Sequence, residues 1–291
     1  MDTIYFIVNP TAGGGKARRK FSMIEQILNE QKTAYKASYT EYPGHATQLA
    51  AEALAKNYNT IVAVGGDGTV REVAQVLAFS SAAMGVLPFG TGNDFIKTLK
   101  IPKDPVKALK LILSARPKKI DISRVNETIC INTSGLGFDV DVLEKTEHYK
   151  KRFSGIIPYL LGIINALFGL RTYSITVSSE QEVIKTSSIL LSVANGIYFG
   201  GGMQVAPLAK VDDGLLDVCM IQPVGRFKVL LLLTRFINGK HLKMKIVQHF
   251  RAARLTVDSD PPARVQLDGE IIAQTPTTFE VLPQALCVFM P

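Results

Sequence analysis

Two glycine-rich turns constrain this chain more than any other feature: Gly65-Gly66-Asp67-Gly68-Thr69 and Gly90-Thr91-Gly92-Asn93-Asp94. Each follows an apolar run, Ile61 to Val64 in the first case and Met84 to Phe89 in the second, so each falls at a strand end. After the first turn Val70, Val73, Ala74 and Leu77 recur at helical spacing. A strand-to-helix turn leaves backbone N–H groups exposed at a helix N-terminus, where they can hold phosphate oxygens. Two such turns at neighbouring strand ends imply one nucleotide site.

The surrounding pattern agrees. Strand-like runs at 3–8, 35–40, 60–64, 84–88 and 118–122 alternate with helical patterns, one of them opening at Asp104-Pro105, a capping residue followed by proline. This rhythm predicts a doubly wound, Rossmann-like α/β domain with a parallel sheet, which binds ligands at the carboxyl ends of its strands. After Asp121 the runs are short, β-rich and separated by Gly, Asn, Asp and Pro, predicting an antiparallel β-sandwich domain with inserted helices. The 291 residues thus divide into 1–122 and 123–291.

Three widely spaced cysteines, Cys130, Cys219 and Cys287, match no metal-ligand pattern and suit a reducing compartment. The chain enters Ile4 to Val8 with no preceding basic residue, so no signal sequence is expected and the predicted location is the cytoplasm. A net charge of +8 calls for an anionic partner. Between Ile221 and Val257 there are eight basic and no acidic residues (Arg226, Lys228, Arg235, Lys240, Lys243, Lys245, Arg251, Arg254), interleaved with Leu230 to Leu233 and Phe236. Such a mixture fits contact with anionic lipid headgroups, or else an ordinary solvated face; no nucleic-acid motif is present. The uncharged segment 153–170 reaches the lower limit of length for a membrane span, yet Gly155, Pro158, Gly162, Asn165 and Gly169 dilute its hydrophobicity. It reads as a partly buried helix bordering an apolar pocket, preceded by Lys150, Lys151 and Arg152.

Further residues could do chemistry. The loop Asn9 to Lys16 carries Gly13, Gly14 and Gly15 but is not a Walker A loop, since Pro10 and Ala17 break that pattern. Asp67 needs a metal ion or water to face phosphate, or serves to cap the helix after it. Asp94 and Asp121 lie at or near strand ends, as structural caps or as acids of the site. Asp212, Asp213 and Asp217 surround Gly214, which suits a hard cation or a plain Asp-Gly turn. Glu270, after the Asp268-Gly269 turn, could accept a proton from a hydroxyl if partial burial raised its pKa; otherwise it is a surface glutamate.

Taken in order, Asn9-Pro10 with Gly13 to Gly15, the two opening turns, Gly200 to Gly202, Asp213-Gly214 and Asp268-Gly269-Glu270 resemble the diacylglycerol kinase catalytic family, and within it the soluble bacterial lipid kinases related to NAD kinases. The resemblance implies ATP-dependent phosphorylation of a lipid hydroxyl, most simply diacylglycerol to phosphatidic acid. ATP would lie in the cleft between the two domains, contacting Asn9, Pro10, Thr11, Ala12, Gly13, Thr40, Gly65, Gly66, Asp67, Gly68, Thr69, Val70, Arg71 and Thr91. It further implies a structural Mg²⁺ held at Lys210, Asp213 and Leu215, with Glu270 as proton acceptor and Asp67, Asp94 and Asp121 as an acidic network. In the family the last strands can return to the first domain, which leaves the domain membership of residues from about 280 open.

The implied setting is the inner face of the cell membrane, with peripheral contact to anionic lipid; a homodimer is admitted. The alternatives are a kinase of phosphatidylglycerol or a sphingoid base, an NAD kinase, and a non-catalytic nucleotide or lipid sensor. GTGND and the apolar segment favour a lipid over NAD, and joint retention of Asp67, Asp213 and Glu270 favours an enzyme over a sensor.

Overall fold

The structure is a computed structural model that describes residues 3–15, 17–150, 152, 153 and 157–291. Lys16, Lys151 and Gly155, singled out above, lie outside the described residues. The chain forms two compact units, Met1–Ile122 together with Leu282–Pro291, and Ser123–Val281.

The first unit runs β1 (Ile4–Val8), α1 (Ala12–Gly15), α2 (Ala17–Glu30), β2 (Tyr35–Tyr39), α3 (His45–Ala55), β3 (Thr60–Gly65), α4 (Asp67–Leu77), β4 (Ala83–Pro88), α5 (Asp94–Thr98) and α6 (Pro105–Ser114), then enters β5 (Lys118–Val125). The strands pair in parallel in the order β2-β1-β3-β4. Every residue of β1 and β4, and all of β3 but Thr60, is buried, as a sheet covered by helices requires. Helices present their apolar stripes to it: Phe21, Ile24 and Leu28 from α2, and Val70, Val73, Ala74 and Leu77 from α4. Asp104 caps α6 by accepting from the Lys107 amide at 2.9 Å, and Pro105 takes the first helical position. The segment Ala12–Gly15 is a kinked turn, with Gly13 and Gly14 in the left-handed region that favours glycine.

The second unit continues with β6 (Thr128–Cys130), β7 (Thr133–Gly137), α7 (Phe138–Lys150), α8 (Ile157–Phe168), β8 (Tyr173–Ser179), β9 (Val183–Ser188), β10 (Leu190–Ala194), β11 (Tyr198–Phe199), β12 (Met203–Gln204), β13 (Leu216–Ile221) and α9 (Arg226–Ile237). After a short 3₁₀ turn at His241–Lys243 come β14 (Val247–Ala252), β15 (Arg254–Asp260), β16 (Arg264–Leu267), β17 (Glu270–Gln274) and β18 (Thr277–Val288). One antiparallel sheet has the order β14-β13-β10-β7-β16-β17. The other pairs β9, β8, β15 and the start of β18. Leu136, Leu191, Val193 and Val265 from the first meet Ile175, Val177, Val257 and Phe279 from the second in one core, which makes a β-sandwich.

Strand β18 runs on through Pro283, and its end pairs in parallel with β4. The strand Thr133–Gly137 escapes a sequence reading because Ser-Gly-Leu-Gly resembles a loop, yet all five of its residues are buried.

Candidate active site

The carboxyl ends of the parallel strands are laced together by backbone hydrogen bonds. Thr40 donates to Val8, Asn9 donates to Val64, and Phe89 and Gly90 donate to Gly65. This edge carries all three glycine-rich loops.

The two opening turns pack directly on each other. A Cβ at Gly90 would lie 2.4 Å from the Gly66 Cα, and one at Gly66 would lie 3.2 Å from the Gly90 Cα. Asp67 joins them. Its Oδ2 accepts from the Asn93 amide at 2.7 Å and its Oδ1 from the Phe95 amide at 3.4 Å. It therefore caps α5, the helix after the second turn, in place of the α4 cap that the sequence offered. Burial pushes the Asp67 carboxyl up, and the neighbouring Asp94 pushes it the same way, while the α5 amides pull it down. Gly92 is required here too, because a Cβ would come within 2.8 Å of Asp67 Oδ2. At Gly68, by contrast, a Cβ would meet nothing within 4 Å among the described residues.

Beside Gly68 lies a cavity lined by Asn9, Thr11, Thr40, Tyr42, Gly68 and Thr69. Asn9 fixes its corner: Nδ2 donates to Thr69 Oγ1 at 3.1 Å, while Oδ1 accepts from the Thr11 amide and hydroxyl at 3.1 and 2.8 Å. Five residues assigned to ATP by resemblance thus line one cavity, namely Asn9, Thr11, Thr40, Gly68 and Thr69. Pro10, Ala12, Gly13, Gly65, Gly66, Asp67, Val70, Arg71 and Thr91 lie on the same loops and on α4 without lining it. Sequence reasoning missed its far wall. Glu72, one turn into α4, accepts from the Gly44 and Ala46 amides at 3.1 and 3.0 Å and so holds the start of α3 against the cavity. Tyr42 stacks on His45, with centroids 4.5 Å apart and planes 3° apart. An acid in the first turn after GGDGT is the available signal for Glu72; nothing local marks Tyr42.

Asp94 lies close enough to Asp67 to push its carboxyl up, and both flank Gly92. Asp94 is paired with Lys97 at 2.8 Å. Asp121 is 2% exposed, and its Oδ1 accepts from the Gln284 amide at 2.8 Å, fixing the returning segment of the chain.

In the second unit, Glu270 begins β17 and is exposed. The partial burial expected at this position is therefore not seen. Its neighbour Asp268 has the structural part, taking the Ile131, Asn132 and Thr133 amides at 2.8, 2.9 and 3.1 Å. The three carboxylates around Gly214 diverge. Asp217 on β13 is 1% exposed and bonded to His249 Nε2 at 2.7 Å, whereas Asp213 accepts from the Leu215 amide at 3.2 Å and from Arg251 at 3.2 Å. Among the described residues no three His, Cys, Asp or Glu side chains converge on a metal position. What remains is one carboxylate, Asp213, in a loop whose backbone oxygens at Lys210 and Leu215 are hard donors. That set fits Mg²⁺ by donor type, with Arg251 competing for Oδ2.

The second unit also contains a cavity of different character, lined by Phe138, Tyr159, Ile163, Val229, Leu232 and Phe236, among other apolar side chains. It lies under α7, α8 and α9. The uncharged segment is thus a helix, α8, that buries Gly162, Ile163, Ala166 and Leu167 and turns Ile157, Leu160, Ile164 and Phe168 outward. Close packing of α7 on α8 needs Gly162, since a Cβ there would meet Thr146 Oγ1 at 2.3 Å. On α9, Phe227, Leu230, Leu231 and Ile237 are exposed among Arg226, Lys228 and Arg235. Arg226 donates to the Phe168 carbonyl at 3.0 Å, which ties the two exposed faces together. Among the described residues no helix is long and apolar enough to cross a membrane.

A parallel-sheet unit with a polar cavity at its strand-end loops and a β-sandwich unit with an apolar one fit the two-domain lipid-kinase class. The chain belongs to the YegS-like lipid kinase family: the "YegS C-terminal NAD kinase beta sandwich-like domain" matches residues 132–290, and the "Diacylglycerol kinase catalytic domain" matches residues 3–125. A Staphylococcus saprophyticus protein named "Diacylglycerol kinase" is 28% identical over 289 residues, covering 98% of this chain and 94% of its own length. A Pseudomonas aeruginosa protein named "Probable lipid kinase YegS-like" is 36% identical over 251 residues, covering 85% of this chain and 82% of its own. A Bacillus anthracis structure, described as a candidate diacylglycerol kinase, superposes with a TM-score of 0.85 at 27% identity, covering 100% of this chain and 95% of that one.

Proposed function

We propose that this chain transfers the γ-phosphate of ATP to the hydroxyl of a membrane lipid, with diacylglycerol as the acceptor. The observation that carries the lipid assignment is the apolar cavity under α7, α8 and α9, whose outer helix faces present Phe168, Phe227, Leu230 and Leu231 beside Arg226, Lys228 and Arg235. A water-soluble acceptor such as NAD has no use for either. Apolar side chains that enter the headgroup region, flanked by cations that meet anionic lipid, suit peripheral docking on a membrane surface. The docking charge is better placed on α9 than at Arg251, which is engaged by Asp213.

Phosphoryl transfer needs positioning and charge neutralisation more than covalent help. The cavity at Asn9, Thr11, Thr40, Gly68 and Thr69 would hold ATP, with the amides at the start of α4 facing its phosphates. Asp67 and Asp94 would act there chiefly by fixing the two turns, Asp67 through the α5 amides and Asp94 through Lys97. Asp121 would act by securing the returning segment. Glu270, exposed at the start of β17, would accept the proton as the lipid oxygen attacks the γ-phosphorus and ADP leaves. Mg²⁺, when bound at the Lys210, Asp213 and Leu215 loop, would supply charge neutralisation and order the loop. The test is ATP-dependent labelling of diacylglycerol, phosphatidylglycerol, a sphingoid base and NAD in parallel. Label in diacylglycerol supports the proposal, and label confined to NADP overturns it.

A further inference from the structure

The apolar cavity has a polar floor. Strands β16, β7 and β10 place Gln266, Gly135 and Ser192 side by side in one row. Gly135 leaves a gap in that row, and the Asp139 carboxyl, from the first turn of α7, fills it: a Cβ at Gly135 would lie 2.5 Å from Asp139 Oδ2. Gln266 Nε2 donates to the same Oδ2 at 3.1 Å. Three further polar atoms are unspent. Asp139 Oδ1, Ser192 Oγ and Thr133 Oγ1 are buried with no hydrogen-bond partner among the described residues, although their residues are only 9%, 5% and 1% exposed. All three residues line the cavity. Leaving one buried polar atom unpaired costs about 1–3 kcal/mol, so three around one apolar space call for a ligand that pairs with them.

The chemistry of the floor narrows that ligand. Two of the orphan atoms are hydroxyls, each with a hydrogen to place. Burial pushes the Asp139 carboxyl up to about 7, more than Gln266 and the nearby Asp139 and Val140 amides pull it down, so near neutrality it too can present an O–H. An anion is disfavoured by the same burial and by the ionised fraction of Asp139. An ammonium group brings only donors and would leave the hydroxyl hydrogens unmatched. An uncharged acceptor oxygen attached to a long apolar chain satisfies both the floor and the walls. We infer that Asp139, Ser192 and Thr133 recognise an acyl carbonyl of the lipid lodged in this cavity, and thereby select ester-linked over ether-linked chains. This rests on the lipid-kinase reading and adds to it a specificity determinant outside the reacting groups.

The test measures binding without ATP. Tritiated dioleoylglycerol and its di-O-oleyl ether analogue, in mixed detergent micelles, are captured on the full-length protein. The wild type should retain the ester about tenfold better than the ether, Ser192→Ala should shrink that ratio, and Asp139→Ala should bring it near one. Ser192→Ala removes a single buried atom, so it decides the matter if Asp139→Ala does not fold. Equal retention of ester and ether by the wild type, or a ratio unchanged in the folded variants, overturns the inference. Adding ATP to the same samples tests phosphorylation separately, so a failure of the kinase reading is seen apart from a failure of carbonyl recognition.

Discussion

The two cavities of this molecule are built on opposite principles. In the first unit the walls are mostly loops and helix starts, the lining is largely polar, with Asn9, Thr11, Thr40, Thr69 and Glu72, and the glycines let two turns touch at Gly66 and Gly90. In the second unit the walls are helices and strand faces, the lining is apolar, and the polar groups are few, buried and partly unpaired. The first cavity is made largely by local chain geometry, the second by tertiary packing. That contrast also explains what can be read before folding is known.

The sharpest break concerns Asp67. Asp67→Asn should lower turnover at least about a hundredfold. Its thermal unfolding should shift by only the equivalent of about 1–2 kcal/mol, the loss of a charged cap on α5. Near-normal turnover in a folded variant would mean that the turns do not serve catalysis. A glycine pair sharpens the same side. Gly90→Ala must displace the Gly66 backbone and should cost about 1–3 kcal/mol in denaturant unfolding. Gly68→Ala, which meets nothing within 4 Å among the described residues, should change stability by less than about 0.5 kcal/mol while weakening ATP binding. If ATP affinity is untouched in Gly68→Ala, the nucleotide does not approach that turn.

On the lipid side, Phe227 is 90% exposed and touches little of its own unit. Phe227→Ser should lower affinity for anionic vesicles about tenfold, with stability and ATP binding unchanged. An unaltered vesicle affinity would return α9 to an ordinary solvated face. The smallest effect is on pH. His241 is fully buried, stacked on Phe236 at 3.9 Å and bonded to the Val205 carbonyl at 3.1 Å; burial pulls its pKa down to about 4. The unfolded chain binds its proton near 6.5, so the stability it contributes is complete above that value and is lost as pH falls from about 6.5 towards 4. His241→Gln should flatten that limb relative to the wild type, as measured by unfolding at a series of pH values. Asp139 runs the other way, since its raised pKa of about 7 removes stability as pH climbs, and the difference between wild type and variant isolates His241.

The fold class and the glycine-rich loops were legible in the sequence because both are written locally. Periodicity marks the α/β rhythm, and glycine followed by helical spacing marks each strand end. Asp67 was legible as important but not in its connection, because its partners Asn93 and Phe95 stand 26 and 28 residues away in the chain. Glu270 was visible through its Asp-Gly turn, but its exposure is a property of packing. Asp139 left no local mark: its role depends on Gly135, Ser192 and Gln266 arriving from three strands. The uncharged segment lies between these cases, since composition indicated a half-buried helix bordering an apolar pocket and the fold shows that Tyr159 and Ile163 form its wall.

Amide hydrogen exchange, with nucleotide and lipid added separately, tests the division of labour most directly. A non-hydrolysable ATP analogue should slow exchange in 9–13, 40–46 and 65–71, and dioleoylglycerol in micelles should slow exchange in 138–149, 157–168 and 226–237. Protection of α8 and α9 by the nucleotide alone, with none by the lipid, would contradict the account.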